Sequence, residues 1–522
     1  MEICVTPLDK EKRIELLILF VCLILGFALR FYAFDRKSLW GDEVYTFNDS
    51  RDNFNGQIKF YKENPTYLHP PHFYILTHQF YPFPKPERDL RIIPLIFGTL
   101  SIPMIYLLAR QFSPSIALPC AVSLTFMTYH ISLSQDGRSY SLLMFIGMMA
   151  LYFFMKYLQT SRKRYLFLVA SFFSILFYTS YSSIPFIALS QILWFYRIDE
   201  DKNKSIVQPM FILNGLIVLL CLPWILFLAF NYNGQALHDL RDLQNPLSFW
   251  NILCGIFHDW LPYGPLMITS VILLILFPFF SKKKKNALVL LSFFMLPVGG
   301  LYLYCGLLSI THFITSKYFI NFLPPFFIAI FLSLGAIEVK FEILKKFMRL
   351  KLLFVILVIV SNLVILPFYY RSQKQDYRGL VNYLKGQLQD GDKIFVGNLL
   401  YVGVMLHYFG VYPESRHYMY SARKVSEKEF EYGTTLLYRD IKFRITYSKS
   451  YWHKYLKDGS RVWIVADKKN AKIIKEYIPC PLKGYFDGSF LNMSRFPTDG
   501  SIYLFLWDPK SPNEQGIDIP IN

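Results

Sequence analysis

Apolar residues in this chain gather in long runs rather than in short alternating stretches. Runs of about 17 to 25 residues suffice to cross a hydrocarbon core of roughly 30 Å. They occur at 14–34, 89–109, 114–130, 139–157, 165–180, 181–197, 209–231, 264–280, 287–307, 318–337 and 352–370. Each reads as a helix, because in lipid only a helix satisfies its own backbone within one segment. The segment 249–260 reads as a re-entrant or interfacial helix. The pattern predicts a polytopic α-helical membrane domain over residues 1–370, with about eleven spans and one long polar loop at 35–88.

From about Arg371 the period changes. Tyr377, Leu380, Val381, Leu384 and Leu388 recur at helical spacing, and Asp390-Gly391-Asp392 is a turn. Lys393–Val396 reads as a strand, and an apolar helix follows at Leu399–Phe409. Arg461–Val465 and Ser501–Leu506 are further strands, with a helical stretch at Lys468–Tyr477 between them. Strands alternating with helices predict a small soluble α/β domain over 371–522. It carries no phosphate-loop, GxGxxG or catalytic-triad signature.

Composition agrees with the membrane reading. Of 522 residues, 53% are hydrophobic and 18% charged, against about 25% charged in an ordinary soluble domain. The net charge of +18 does not indicate nucleic acid, because much of it lies in short loops between apolar runs. The seven cysteines are scattered and form no CxxC, so neither a zinc site nor a disulfide framework is indicated. The first run is long for a signal-peptide core and lacks a small-residue cleavage site, so it reads as an uncleaved anchor.

Lys and Arg supply an orientation. If the N-terminus with Lys10, Lys12 and Arg13 is cytoplasmic, the loops on that side also hold Arg110, Lys156, Arg162–Arg164, Arg197, Lys202, Lys204, Lys282–Lys285 and Lys340–Lys351. The short loops on the other side hold Arg138, Arg241 and Lys317. This is the positive-inside distribution. It predicts a cell-membrane protein whose loop 35–88 and C-terminal domain are non-cytoplasmic. The Lys282–Lys285 run is read as topogenic.

Four polar motifs fall on that outer side. Ser38-Leu39-Trp40-Gly41-Asp42-Glu43 joins an aromatic to adjacent carboxylates; its bland reading is an interfacial anchor. His69-Pro70-Pro71 has a prolyl-fixed backbone and reads equally as a turn. Ser134-Gln135-Asp136-Gly137-Arg138-Ser139-Tyr140 places an acid two residues from an arginine, which a surface pair would also explain. Ser316-Lys317-Tyr318-Phe319 opens a span, where a snorkelling lysine is ordinary.

In combination and order these motifs resemble the GT-C superfamily of polyprenyl-phosphate-sugar-dependent glycosyltransferases, and among them the bacterial protein O-mannosyltransferase and aminoarabinose-transferase type. Arg30 matches an arginine near the outer end of the first span, and Leu39–Glu43 matches Leu-Trp-x-Asp-Glu. His69-Pro70-Pro71 and Arg91-Ile92-Ile93-Pro94 match the next elements, and Ser134–Tyr140 matches Ser-Gln-Glu-x-Arg-x-Tyr with Asp136 for Glu. Tyr178-Thr179, Pro223-Trp224 and Lys317-Tyr318-Phe319 follow, and Asp376-Tyr377-Arg378-Gly379 resembles Asp-Trp-Arg-Gly. The likeness weakens beyond about residue 400. His69 stands where the aminoarabinose type has lysine. Lys317 stands for arginine, which keeps the charge but loses the bidentate fork.

The resemblance implies a lipid-phosphate sugar donor and a glycolipid, glycan or protein acceptor outside the cytoplasm. Such a transfer needs a base at the acceptor and cations where phosphate charge grows. Asp42 is the candidate base, with Glu43 orienting the acceptor or a nearby cation. Lys317 and Arg138 are candidates for the phosphate. Asp136 would orient Arg138 or bind sugar hydroxyls. His69, Tyr140, Tyr318 and Arg30 are further candidate substrate contacts. No cofactor is required on this reading, although Asp42, His69 and Asp136 would form a plausible divalent-metal set. A transporter or flippase is the alternative, but it calls for charged or Gly/Pro-broken segments at mid-membrane.

Overall fold

The computed structural model describes residues 10–65, 69–196, 206–232, 249–308, 315–341, 349–397, 399–411, 423–426, 429–448, 456–457, 459–478, 480–490, 498–511 and 515–521. Helix is present at each of the eleven expected spans. Among the described residues, seven helices are long and apolar enough to cross a membrane, or nine when two bent pairs each count as one span. The difference from eleven lies in two elements. Lys163–Thr179 has 17 residues, and Tyr181–Phe195 is a shorter, broken apolar helix. The ambiguous Phe249–Trp260 is the first half of a pair bent by 103° against Gly264–Phe280, so it is a broken or re-entrant element.

The second bent pair sets up the functional end. Pro114–Phe126 and Thr128–Ser134 meet at 64°. Such a break frees backbone groups that lipid cannot satisfy. Other helices supply the partners. Arg30 donates to the carbonyls of Leu124 (3.0 Å) and Thr125 (3.3 Å). The Thr128 amide donates to Asn362 Oδ1 at 2.8 Å, and the Thr128 hydroxyl donates to the Asn362 carbonyl. Glycine lets the broken segment sit close to its neighbour: a Cβ on Gly98 would lie 2.1 Å from Ser134 Oγ. The chain therefore enters the Gln135–Ser139 loop from a fixed position.

After Arg371, where the last membrane helix ends, the chain builds a seven-stranded mixed sheet. Its strands are β1 (Lys393–Val396), β2 (Arg423–Ser426), β3 (Glu429–Tyr438), β4 (Ile441–Ser448), β5 (Val462–Ala466), β6 (Leu482–Phe486) and β7 (Ile502–Trp507), in the order β2-β3-β4-β1-β5-β7-β6. β1 runs parallel to β4 and β5, and the other pairs are antiparallel. The expected strands at 393–396, 461–465 and 501–506 appear as β1, β5 and β7. The β3–β4 hairpin was not anticipated. Its two-residue turn is Arg439-Asp440, with φ of 49° and 68°, in place of the Asn-Gly that advertises such turns.

One face of the sheet is covered by Lys468–Tyr477, through Ala471 and Ile474. The other carries Tyr377–Gln387 and Leu399–Phe409, and these share a core with the membrane domain's long loop. Leu380, Leu384, Val402 and Met405 pack in one cluster with Leu39, Val44, Phe47, Phe83 and Leu90. The sheet domain is thus seated on the segment that carries Asp42 and Glu43.

Candidate active site

Gly41–Asp49 is a short helix with Asp42 and Glu43 in its first turn, where the helix dipole favours negative charge. The two adjacent carboxylates have different fates. Glu43 is fully buried and takes a bidentate pair from Arg91, with Nε to Oε1 and Nη2 to Oε2 both at 2.7 Å. The Gly137 amide donates to the same Oε1 at 2.7 Å. A Cβ on Gly137 would meet that oxygen at 3.2 Å and Leu90 Cβ at 3.1 Å, so glycine suits this approach. Arg91 spends its remaining donors on the carbonyls of Phe34, Lys37 and Ser38. Glu43 therefore joins three chain segments. Its carboxylate is already taken by these donors, so of the two roles expected for Glu43, orienting the acceptor or a nearby cation, the contacts show it holding a cation, Arg91.

Asp42 is half-buried, and its carboxylate has no hydrogen bond or ion pair among the described residues. Arg138 reaches its backbone instead: Nη1 donates to the Asp42 carbonyl at 3.3 Å and to Thr46 Oγ1 at 3.2 Å. Burial opposes the Arg138 charge, but Tyr74, Asp42, Tyr140 and Asp136 outweigh it and raise the guanidinium well above its ordinary value. Tyr318, partly exposed, lies within electrostatic reach of Tyr140, Asp42 and Arg138.

Asp136 does not orient Arg138 through its carboxylate. Oδ1 accepts from the Trp40 indole N–H at 2.9 Å and pairs with Lys374 Nζ at 3.0 Å. Lys317 Nζ stands 3.9 Å from Oδ2. Burial would raise this carboxyl, but Lys374, then Lys317 and Trp40, hold it below the usual carboxylate range. Both ammoniums lie against the Trp40 ring, Lys317 at 4.4 Å and Lys374 at 4.9 Å from its centroid, and Lys317 is also 5.4 Å from the Tyr140 ring. Such contacts favour a partly desolvated cation. Burial lowers Lys374, with Lys317 and Arg91 adding to it and Asp136 and Glu43 opposing.

Asp42, Glu43, Asp136, Arg138, Tyr140, Lys317 and Tyr318 are thus brought to one end of the bundle. Arg30 is not directed there. It is fully buried, and its guanidinium is taken by Gly26, Leu124, Thr125 and His130, so it serves the helix break. The His69 carbonyl accepts from the Tyr61 hydroxyl, and the residue is exposed. No group of three or more His, Cys, Asp or Glu placed to hold a metal occurs among the described residues, so Asp42, His69 and Asp136 do not assemble as a ligand set.

Sequence reasoning missed Lys374 as a site residue, although it singled out Asp376–Gly379 just after it. Its signal was a lysine three residues beyond the last membrane helix on the predicted outer side. Asp259 was also missed. It is buried, and its Oδ2 accepts from Ser316 Oγ at 2.6 Å, directly beside Lys317.

Residues 68–227 match the family model described as dolichyl-phosphate-mannose-protein mannosyltransferase. That stretch holds Asp136 and Arg138 but not Asp42 or Lys317. No curated protein matches the chain. Among solved structures, the chain is similar to ArnT from Cupriavidus metallidurans in the apo state, at 10% identity and a TM-score of 0.54, covering 95% of this chain and 98% of that one. It is equally similar to the same protein bound to undecaprenyl phosphate, at 12% identity and a TM-score of 0.54, covering 94% and 97%. The chain has the GT-C fold. That GT-C fold spans the membrane helices and the C-terminal sheet together, since the likeness covers nearly the whole of both chains. The fold is thus shared with ArnT along nearly the whole chain, while the family likeness is confined to residues 68–227.

Proposed function

We propose that this GT-C protein is an inverting transferase that moves a sugar from a polyprenyl phosphate to a glycolipid, surface glycan or protein on the non-cytoplasmic face of the cell membrane. The reading rests chiefly on Asp42, a half-buried carboxylate without an ion-pair partner among the described residues, set beside Arg138 where neighbouring charges are committed. A carboxylate held this way can accept a proton from an acceptor hydroxyl or amine as that atom attacks the anomeric carbon. The bond from that carbon to the phosphate oxygen breaks, and its electron pair leaves with the lipid phosphate. Lys317 and Arg138 supply the positive charge that stabilises the departing group. A single displacement of this kind inverts the anomeric centre.

The asymmetry of Lys and Arg supports placing this end of the bundle outside the cytoplasm. ArnT bound to undecaprenyl phosphate supports a donor of polyprenyl-phosphate type. The test is transfer of labelled sugar from a polyprenyl-phosphate donor by purified protein, with Asp42→Asn as the key variant. The variant is expected to express normally, bind donor and fail to transfer. Full transfer by it would remove Asp42 as the base.

A further inference from the structure

Asp136 faces two ammoniums unequally. Its Oδ1 is held by Lys374 at 3.0 Å and by the Trp40 indole at 2.9 Å. Its Oδ2 is buried and has no hydrogen-bond partner among the described residues, and Lys317 stands 3.9 Å from it, beyond hydrogen-bond distance. The Arg91–Glu43 pair at 2.7 Å shows the alternative, in which one cation and one carboxylate close completely.

Lys374 is well placed to prevent that closure. It is buried, and the residues on either side are pinned to the loop before Asp42. The Gln373 side chain accepts from the Ser38 amide at 2.9 Å, and the Gln375 carbonyl accepts from the Ser38 hydroxyl. With one carboxylate between two lysines, the group keeps one net positive charge, carried by the less buried Lys317. A cation fully paired with its own carboxylate is a poor phosphate ligand, because the phosphate must displace a buried partner.

We propose that Lys374 is a positioning residue that occupies Asp136 and so leaves Lys317 free for the lipid phosphate. This deepens the function proposed above and rests on that reading. It also makes the first residues after the last membrane helix part of the donor site.

The experiment measures binding of undecaprenyl phosphate to the purified full chain, with kcat and donor KM from the transfer assay and a melting temperature for each variant. Lys374→Gln is expected to weaken lipid-phosphate binding about tenfold or more, about 1.4 kcal/mol, and to raise donor KM more than it lowers kcat. Lys374→Arg should bind within about threefold of wild type, since one buried cation replaces another. The double variant Lys374→Gln with Asp136→Asn should recover most of the binding, because removing the carboxylate frees Lys317 again. A purely structural Lys374 would gain nothing from that second change. The proposal is overturned if Lys374→Gln binds like wild type, or if the double variant, folded by its melting temperature, binds no better than the single one. If wild-type protein itself fails to bind undecaprenyl phosphate, the functional reading falls and this inference with it. If wild type binds and Lys374→Gln is unchanged, only the role of Lys374 is lost.

Discussion

Glu43 and Asp136 are both buried carboxylates at the same end of the bundle, yet one is saturated and the other is not. Glu43 takes both arms of Arg91 at 2.7 Å and an amide from Gly137. Asp136 shares two lysines at 3.0 and 3.9 Å and keeps one oxygen without a hydrogen bond among the described residues. A closed buried pair fixes geometry, because breaking it leaves a charge with no solvent. An open cluster with surplus positive charge is suited to an anion that comes and goes. The two centres are joined through Gly137, the residue after Asp136, so the rigid centre positions the open one.

The comparison can be broken first at the rigid centre. Arg91→Ala should cost about 3–5 kcal/mol of stability, seen as loss of monodisperse, folded protein in detergent. A well-folded variant with normal melting would show that the pair is not the anchor. At the open centre the loss should instead be functional. Asp42→Asn should lower kcat about a hundredfold or more with an unchanged melting temperature, and a loss of stability comparable to that of Arg91→Ala would show that Asp42 too is part of the rigid framework. Lys317→Ala should weaken lipid-phosphate binding about tenfold, within the range for hydrogen bonds to charged groups; undiminished binding, alone and with Arg138→Ala, would sink the phosphate site.

The smallest effect concerns the seat of the sheet domain. His407 lies against Phe47 at 4.6 Å, and burial lowers it from 6.5 to about 4. A lowered histidine means the unfolded chain binds the extra proton between those values, so stability is fully present above 6.5 and falls as pH drops toward 4. At pH near 5.5 the expected loss is about 1 kcal/mol, and His407→Phe should flatten it in melts followed against pH. Asp136 carries the same sign for a carboxylate held low, so its contribution is lost only below its ordinary range near about 3.9.

Much of the membrane architecture was readable because its physics is local. A run of apolar residues must be helical in lipid wherever it lies, and helix is present in each of the eleven runs. Of the two bends, the one at Phe249–Trp260 was anticipated as a re-entrant or interfacial helix, and the other was not readable. Nothing around Met127 announces a 64° break, because the partners that make it tolerable, Arg30 and Asn362, are far away in sequence. The same distance explains Arg30: its position at the end of the first span suggested substrate, and only the packed bundle shows that it serves the backbone. In the sheet domain, the strands beside clear turns or apolar runs were found. The β3–β4 hairpin was missed because Arg439-Asp440 adopts positive φ without glycine or asparagine.

The sequence by itself determined that the chain crosses the membrane repeatedly, which polar motifs share one side, and that a strand-rich domain follows the last span. These follow from composition and period along the chain. Tertiary structure alone decided how the charges are divided. Glu43 and Asp42 are neighbours with the same functional group, and no local rule separates them. Packing brings Arg91 and Gly137 to one and leaves the other facing Arg138, and it carries Lys374 from beyond the last helix back to Asp136. Charge pairing in a low-dielectric interior depends on distances of a few ångströms between segments far apart along the chain, and only the folded chain fixes those.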